Sequence, residues 1–367
     1  MKKYYYIIII LIITSCGSSD ELKPTGDDFN RGQILEFTYE SIIIPSYTNL
    51  NSKIDDLQSS VDLFIENPNE NNLSAMRNAW VSNYKAWQAV AMFNLREAEE
   101  LQYAAKMNSY PCSESMINQN IDLGINEIGN FTQSMLGTTG FPAIGYMIFG
   151  VGDGDANIIS IYNDVNNGLK YKQYLVALVQ DMKTMTENIL TDWLSNKSAF
   201  VNSTNNTATS SLNLVVNDFL QYFEKRVREA KVATPSGVRG DLNPLYDHVE
   251  SYYKSDICKE LLKEAFSSVK RVYQGSSFDG LSEGIGLEDY LIYLDNTEEL
   301  VLAIDNQLNI IDDKIELLND DFIIQMNTNN QAMFDVFYAM QTLVTYTKTD
   351  MLSFLNISTD YLDNDGD

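Results

Sequence analysis

The chain has 367 residues, with 25 lysines and arginines against 51 aspartates and glutamates and a formal charge of −26. A surface of that sign repels phosphate backbones, which argues against nucleic acid as a partner and leaves cations and basic ligands admissible. The length suffices for two ordinary domains, and the three cysteines form no Cys-x-x-Cys pair, which excludes a zinc ribbon or a thioredoxin-like centre.

The first segment carries Lys2 and Lys3, then an apolar run over 4–13 and a short polar exit, Thr14-Ser15-Cys16. This is the layout of a secretory signal. The run holds about ten residues where a bilayer-spanning helix needs roughly 20, so it targets the chain without anchoring it. The context Ile13-Thr14-Ser15-Cys16 resembles a bacterial lipobox. It predicts a signal peptide over 1–15, cleavage before Cys16, lipidation there and a polar tether over 16–28. Several acyl chains hold a protein at a membrane stably, which places the body in the cell envelope, on either face of the outer membrane. An ordinary secretory cleavage is the alternative, and it leaves Cys16 incidental. An oxidising compartment permits a Cys112–Cys258 bridge; two free thiols are the other reading.

Beyond the tether, apolar residues recur at helical spacing. Ile54, Leu57, Val61 and Phe64 form a stripe that stops at Asn67-Pro68, and Trp80, Tyr84, Trp87 and Ala91 form the next. Proline disfavours helical geometry in the residue before it, so the two read as antiparallel neighbours. The glycine-rich stretch 137–150 predicts a loop with a half-buried turn, or else a close-packed backbone at a ligand cleft. Tyr174, Leu178, Met182, Met185, Ile189 and Trp193 continue the helical pattern. The Asn- and Ser-rich 195–211 has no apolar period and reads as a boundary. Leu212, Val216, Phe219, Phe223 and Val227 follow, with turn chemistry at 230–237 ending that helix. After a second glycine-rich stretch at 275–286 come Ile304, Leu308, Ile311, Ile315 and Leu318, then Phe334, Phe337, Val344 and Met351. No run alternates with period two. The pattern predicts an all-α fold of two helical bundles, 29–198 and 199–367, packed side by side around a cleft.

Side chains for catalysis are scarce. His248 is the one histidine of the sequence, so a His-Glu-x-x-His zinc site cannot be built. His248 and Glu250 stand two apart and would point to different helix faces. There is no Gly-x-Ser-x-Gly elbow, phosphate loop or dinucleotide fingerprint. The tail 360–367 is acidic, but Tyr361 and the end of the sequence spoil an EF-hand register. Acid-rich helices can hold iron or another hard cation through oxygen ligands alone, or they simply solvate outer faces.

With these segments in view, the chain resembles the imelysin-like family of insulin-cleaving metallopeptidase relatives and iron-regulated envelope proteins. The likeness rests on Ile43-Ile44-Pro45-Ser46-Tyr47, on Met76-Arg77-Asn78-Ala79-Trp80 with Ala86-Trp87-Gln88, on the glycine-flanked 140–150, and on Asp365-Gly366-Asp367. It implies two helical bundles with a cleft between them. The family signature is Gly-x-His-x-x-Glu; here Gly140 matches, while Pro142 takes the histidine position and Gly145 the glutamate position. Neither can ligate a metal or act as a general base through its side chain. The resemblance therefore nominates Gly140, Phe141, Pro142, Gly145 and Tyr146 as cleft residues, with no catalytic or metal-binding side chain among them. It implies a non-catalytic envelope lipoprotein that binds a small ligand or metal, in iron or haem uptake. The alternatives are a metallopeptidase with an atypical site and a surface lipoprotein that docks an envelope protein through an apolar patch around Tyr252 and Tyr253.

Overall fold

Stripes spaced three and four apart place their residues on one helix face, and that face is where the core forms. In helix α1 (Ile44–Glu66), Ile54, Leu57, Val61 and Phe64 are all buried, whereas Leu63, off the stripe, is 57% exposed. The computed structural model describes residues 27–129, 132 and 135–359; the stretch 1–15 read from sequence as a signal peptide, Cys16 and the tail 360–367 lie outside the described residues.

Asn67 and Pro68 separate α1 from α2 (Glu70–Gln88), whose first turn is capped by the Asn69 side chain accepting from the Asn72 N–H at 3.0 Å. Capping satisfies a backbone donor that has no partner inside the helix. α1 packs on α2 and on a long helix at 168–195. Between them the stretch 137–150 departs from the expected loop. Gly140–Gly145 is a fully buried helical turn, α3, and Tyr146–Gly150 extends it with π-helical hydrogen bonding. Gly140 takes φ +69°, and a Cβ there would stand 2.1 Å from the Met107 carbonyl oxygen. Only glycine fits. Pro142 is tolerated because it sits in the first turn, where backbone N–H groups have no helical acceptor to lose.

The long helix, α4 (Gly168–Ser195), buries all six residues of its stripe from Tyr174 to Trp193. After the exposed turns of 202–209, α5 (Ser211–Gln221) passes directly into a π-helical stretch, Tyr222–Ala233. The helix does not end at residue 230, as its turn residues suggest. It runs on to Ser236 and stops at Gly237, φ +75°, where a Cβ would meet the Asn243 carbonyl at 2.2 Å. α6 (Cys258–Gln274) follows, then α7 (Leu287–Tyr293) and α8 (Glu298–Glu316). The last long helix, α9 (Phe322–Val344), has its N-terminus capped by Asp321 and is interrupted at Asn329 (φ −156°, ψ 75°). Its buried seam runs through Met333, Val336, Phe337 and Met340, leaving Phe334 half-buried.

The fold is all-α: among the described residues no strand forms, and one isolated bridge joins Ser276 to Glu283. The buried apolar side chains make a continuous cluster from Ile34 to Ile357. Among the described residues, no helix is long and apolar enough to cross a membrane. Cys112 and Cys258 are free thiols.

Candidate functional site

Two cavities meet at the Tyr110-Pro111 peptide. The first, of about 250 Å³, lies between the C-terminal end of α2, the segment 104–111 and the π-helical stretch Tyr222–Ala233. The second, of about 400 Å³, lies between α2, the segment 110–115, α3 and the turns of 247–253. Tyr110 and Pro111 line both.

A buried polar cluster spans the two cavities. Lys231 and Glu250 are each 4% exposed and Gln88 is 1% exposed. Glu250 accepts from the Lys231 ammonium through Oε2, while its Oε1 accepts from Gln88 Nε2 at 3.0 Å and Asn108 Nδ2 at 2.8 Å. Lys231 also donates to Gln88 Oε1 at 2.9 Å. The Tyr84 hydroxyl lies 2.6 Å from Asn108 Oδ1 and 3.0 Å from the Glu250 carbonyl oxygen. Buried charges persist when they are paired and hydrogen-bonded, and this cluster meets that condition with side chains drawn from separate elements.

The electrostatics follow from the burial. Desolvation lowers the Lys231 pKa, and the Glu250 carboxylate opposes it. Desolvation raises the phenols of Tyr84, Tyr110 and Tyr222, with Glu250 adding to each. These hydroxyls stay protonated, and both carboxylate oxygens of Glu250 are committed to intramolecular donors. The arrangement is therefore a fixed polar frame between the two cavities.

The segment nominated from sequence forms the back wall. Pro142 and Gly145 line the second cavity, and an added Cβ on Gly145 would come within 3.1 Å of the Trp80 ring. Gly140 and Phe141 stand behind them: the Phe141 ring stacks on Tyr84 at 4.3 Å, and its carbonyl accepts from Trp80 Nε1 at 3.2 Å. Tyr146 hydrogen-bonds Asn118 at 2.9 Å and leans on Tyr253, 5.5 Å between ring centres. Tyr253 lines the second cavity, its hydroxyl donating to Glu114 at 2.6 Å and accepting from the Cys112 thiol at 3.4 Å. Burial pushes the Cys112 thiol up, and that of Cys258 to about 12, so neither is a thiolate at neutral pH. His248 is half-exposed, with Nδ1 3.0 Å from Asp247. Among the described residues no group of three or more His, Cys, Asp or Glu side chains gathers closely enough to hold a metal ion.

Sequence reasoning missed Asn108, Tyr110 and Lys231, took Gln88 only as part of the family likeness, and weighed Glu250 only as a partner of His248. For two of them a signal was present. Gln88 continues the stripe Trp80–Tyr84 by four more residues, and Lys231 continues Phe223–Val227 in the same way. A polar residue at the next position of an apolar stripe is buried with it and must find a partner.

Comparison with known proteins bears on the whole of this architecture. The imelysin family model matches residues 43–349. A crystal structure from Parabacteroides distasonis ATCC 8503, described as a putative iron-regulated protein A precursor, superposes with a TM-score of 0.73 at 17% identity, over 90% of this chain and 96% of that one. An imelysin-like protein from Psychrobacter arcticum 273-4 superposes with a TM-score of 0.70 at 13% identity, over 90% and 97%. At such identities the likeness is one of fold. No curated protein matches the chain.

Proposed function

The chain belongs to the imelysin family, and from that premise we propose that it is a non-catalytic lipoprotein of the cell envelope, anchored through Cys16, that binds a ligand in the paired cavities at Tyr110-Pro111 as part of iron or haem uptake. The observation that carries the binding reading is the buried Lys231–Glu250–Gln88–Asn108 cluster between two cavities. An apolar core of equal volume is often at least as stable as a buried ion pair, so stability alone does not account for this cluster, and a fixed polar frame for a ligand does. The non-catalytic part rests on Pro142 and Gly145, which face the second cavity where the family signature calls for histidine and glutamate. The uptake part rests on the kinship in fold with an iron-regulated protein precursor.

The donor set does not fit a bare metal ion, because the one carboxylate of the cluster is already neutralised by Lys231. Iron, if it is the cargo, arrives within a larger ligand. The test is calorimetric titration of the metal-stripped protein with Fe(II), Fe(III), Zn(II), Ca(II) and haem, with thermal shift in parallel. A true ligand at a hundredfold excess over its dissociation constant adds about 2.7 kcal/mol to apparent stability. Haem is expected to bind with one-to-one stoichiometry and the bare ions only weakly; peptide hydrolysis that stays with the protein through successive purification steps would sink the non-catalytic reading.

A further inference from the structure

The two cavities differ in charge. Glu114, Asp247 and Glu250 line the second, whereas no aspartate or glutamate lines the first. In a chain with twice as many acids as bases, a cavity walled by none is a departure from the surface average. The charged side chains of the first cavity are Arg226 and Lys231. Lys231 is matched by Glu250, but Arg226, which stands earlier on the same π-helical stretch, has no ion pair or hydrogen bond among the described residues. The guanidinium is close enough to weigh on its neighbours: its positive charge acts to lower the pKa of Tyr110, Tyr222 and Lys231. The first cavity therefore carries one net positive charge.

Its remaining walls are partly aromatic and partly polar. Trp87, Tyr110 and Tyr222 supply aromatic surface, and Gln88 and Asn108 supply amides. Of the three N–H bonds of the Lys231 ammonium, two are taken by Glu250 and Gln88, so one donor remains. A guanidinium grips a carboxylate through two parallel hydrogen bonds and tolerates desolvation better than an ammonium does. Aromatic faces select a flat, unsaturated body.

From these features we propose that the first cavity is a binding site for a small organic carboxylate with a planar, unsaturated body, its carboxylate held by Arg226 with Lys231 behind it. This rests on the ligand-binding reading above and names the chemical class. It also reconciles an anionic ligand with a strongly acidic protein, because the repulsion of the outer surface is inverted at this mouth.

The test uses two matched fluorinated probes, 4-fluorobenzoate and 4-fluorobenzylamine, followed by fluorine NMR line broadening on the intact protein, with Arg226→Ala and Arg226→Lys variants. Arg226 is exposed, so both variants are expected to fold. The acid binds and the amine does not. Arg226→Ala weakens the acid at least tenfold, because a charge-assisted, two-point hydrogen bond is lost, and Arg226→Lys recovers part of the loss. Equal binding of acid and amine, or acid binding unchanged in Arg226→Ala, overturns the assignment. If neither probe binds while haem or an iron species does, the carboxylate class fails and the ligand-binding function stands. If probes, metals and haem all fail, both fall together.

Discussion

Lys231 and Glu250 illustrate how much a single pair can carry. Each sits at 4% exposure, and together they organise Gln88 and Asn108. Removing one partner of such a pair strands a buried charge, at a cost of about 3–5 kcal/mol. Lys231→Met and Glu250→Gln are therefore each expected to lower the midpoint of urea unfolding markedly, Lys231→Met the more, because it leaves an ionised carboxylate without a cation. The double variant Lys231→Met with Glu250→Gln is expected to recover most of the loss, since the amide oxygen that replaces the carboxylate would still accept from Asn108. Strict additivity of the two single effects would show that the side chains do not act as a pair.

Between elements, the contact of α6, α7 and α8 contains a second arrangement that titrates. Glu288 stands in the first turn of α7 and Asp305 lies on α8. Burial and the neighbouring Asp305 carboxyl push Glu288 up to about 7, and burial raises Asp305 as well. Two carboxyls this close share a proton more readily than they both ionise. The folded value of Glu288 exceeds its ordinary 4.5, so between those two values the native state holds a proton that the unfolded chain has released. Stability from this group is complete at low pH, declines as pH rises towards about 7, and stays at the lower level above it. Glu288→Gln keeps the neutral form at every pH. It is expected to raise the melting temperature at pH 8 and leave it nearly unchanged at pH 4; two parallel melting curves across that range would show that the pair does not titrate with folding.

At the scale of the molecule, the exposed turns of 202–209 connect helices that are also joined by packing. α2 packs on α6, the helix Arg31–Phe37 contacts both Lys197–Val201 and α5, and Lys85 pairs with Glu260 at 2.6 Å. Exposed polar turns are where proteases cut first. Brief digestion with a nonspecific protease is expected to nick 202–209 and leave two fragments that co-elute on size exclusion and separate only in denaturant. Fragments that part under native conditions would show that the covalent link, not the packing, holds them together.

Much of this was legible in the sequence. The helices and their buried faces follow from local spacing, because residues three and four apart share a helix face whatever the remainder of the chain does. The family could be recognised from Trp80, Trp87 and the 140–150 segment, and the departure from its signature from Pro142 and Gly145 alone. What only the tertiary structure decided depends on contacts between distant segments. The turn at 140–145 is helical and buried because Gly140 lies against the Met107 carbonyl and Gly145 against Trp80, not because of its own composition. The polar frame joins Gln88 to Glu250, 162 positions apart, and no local period encodes such a meeting: a glutamine or lysine at the end of an apolar stripe announces that it will be buried, while the partner that makes its burial tolerable is chosen by how the helices dock.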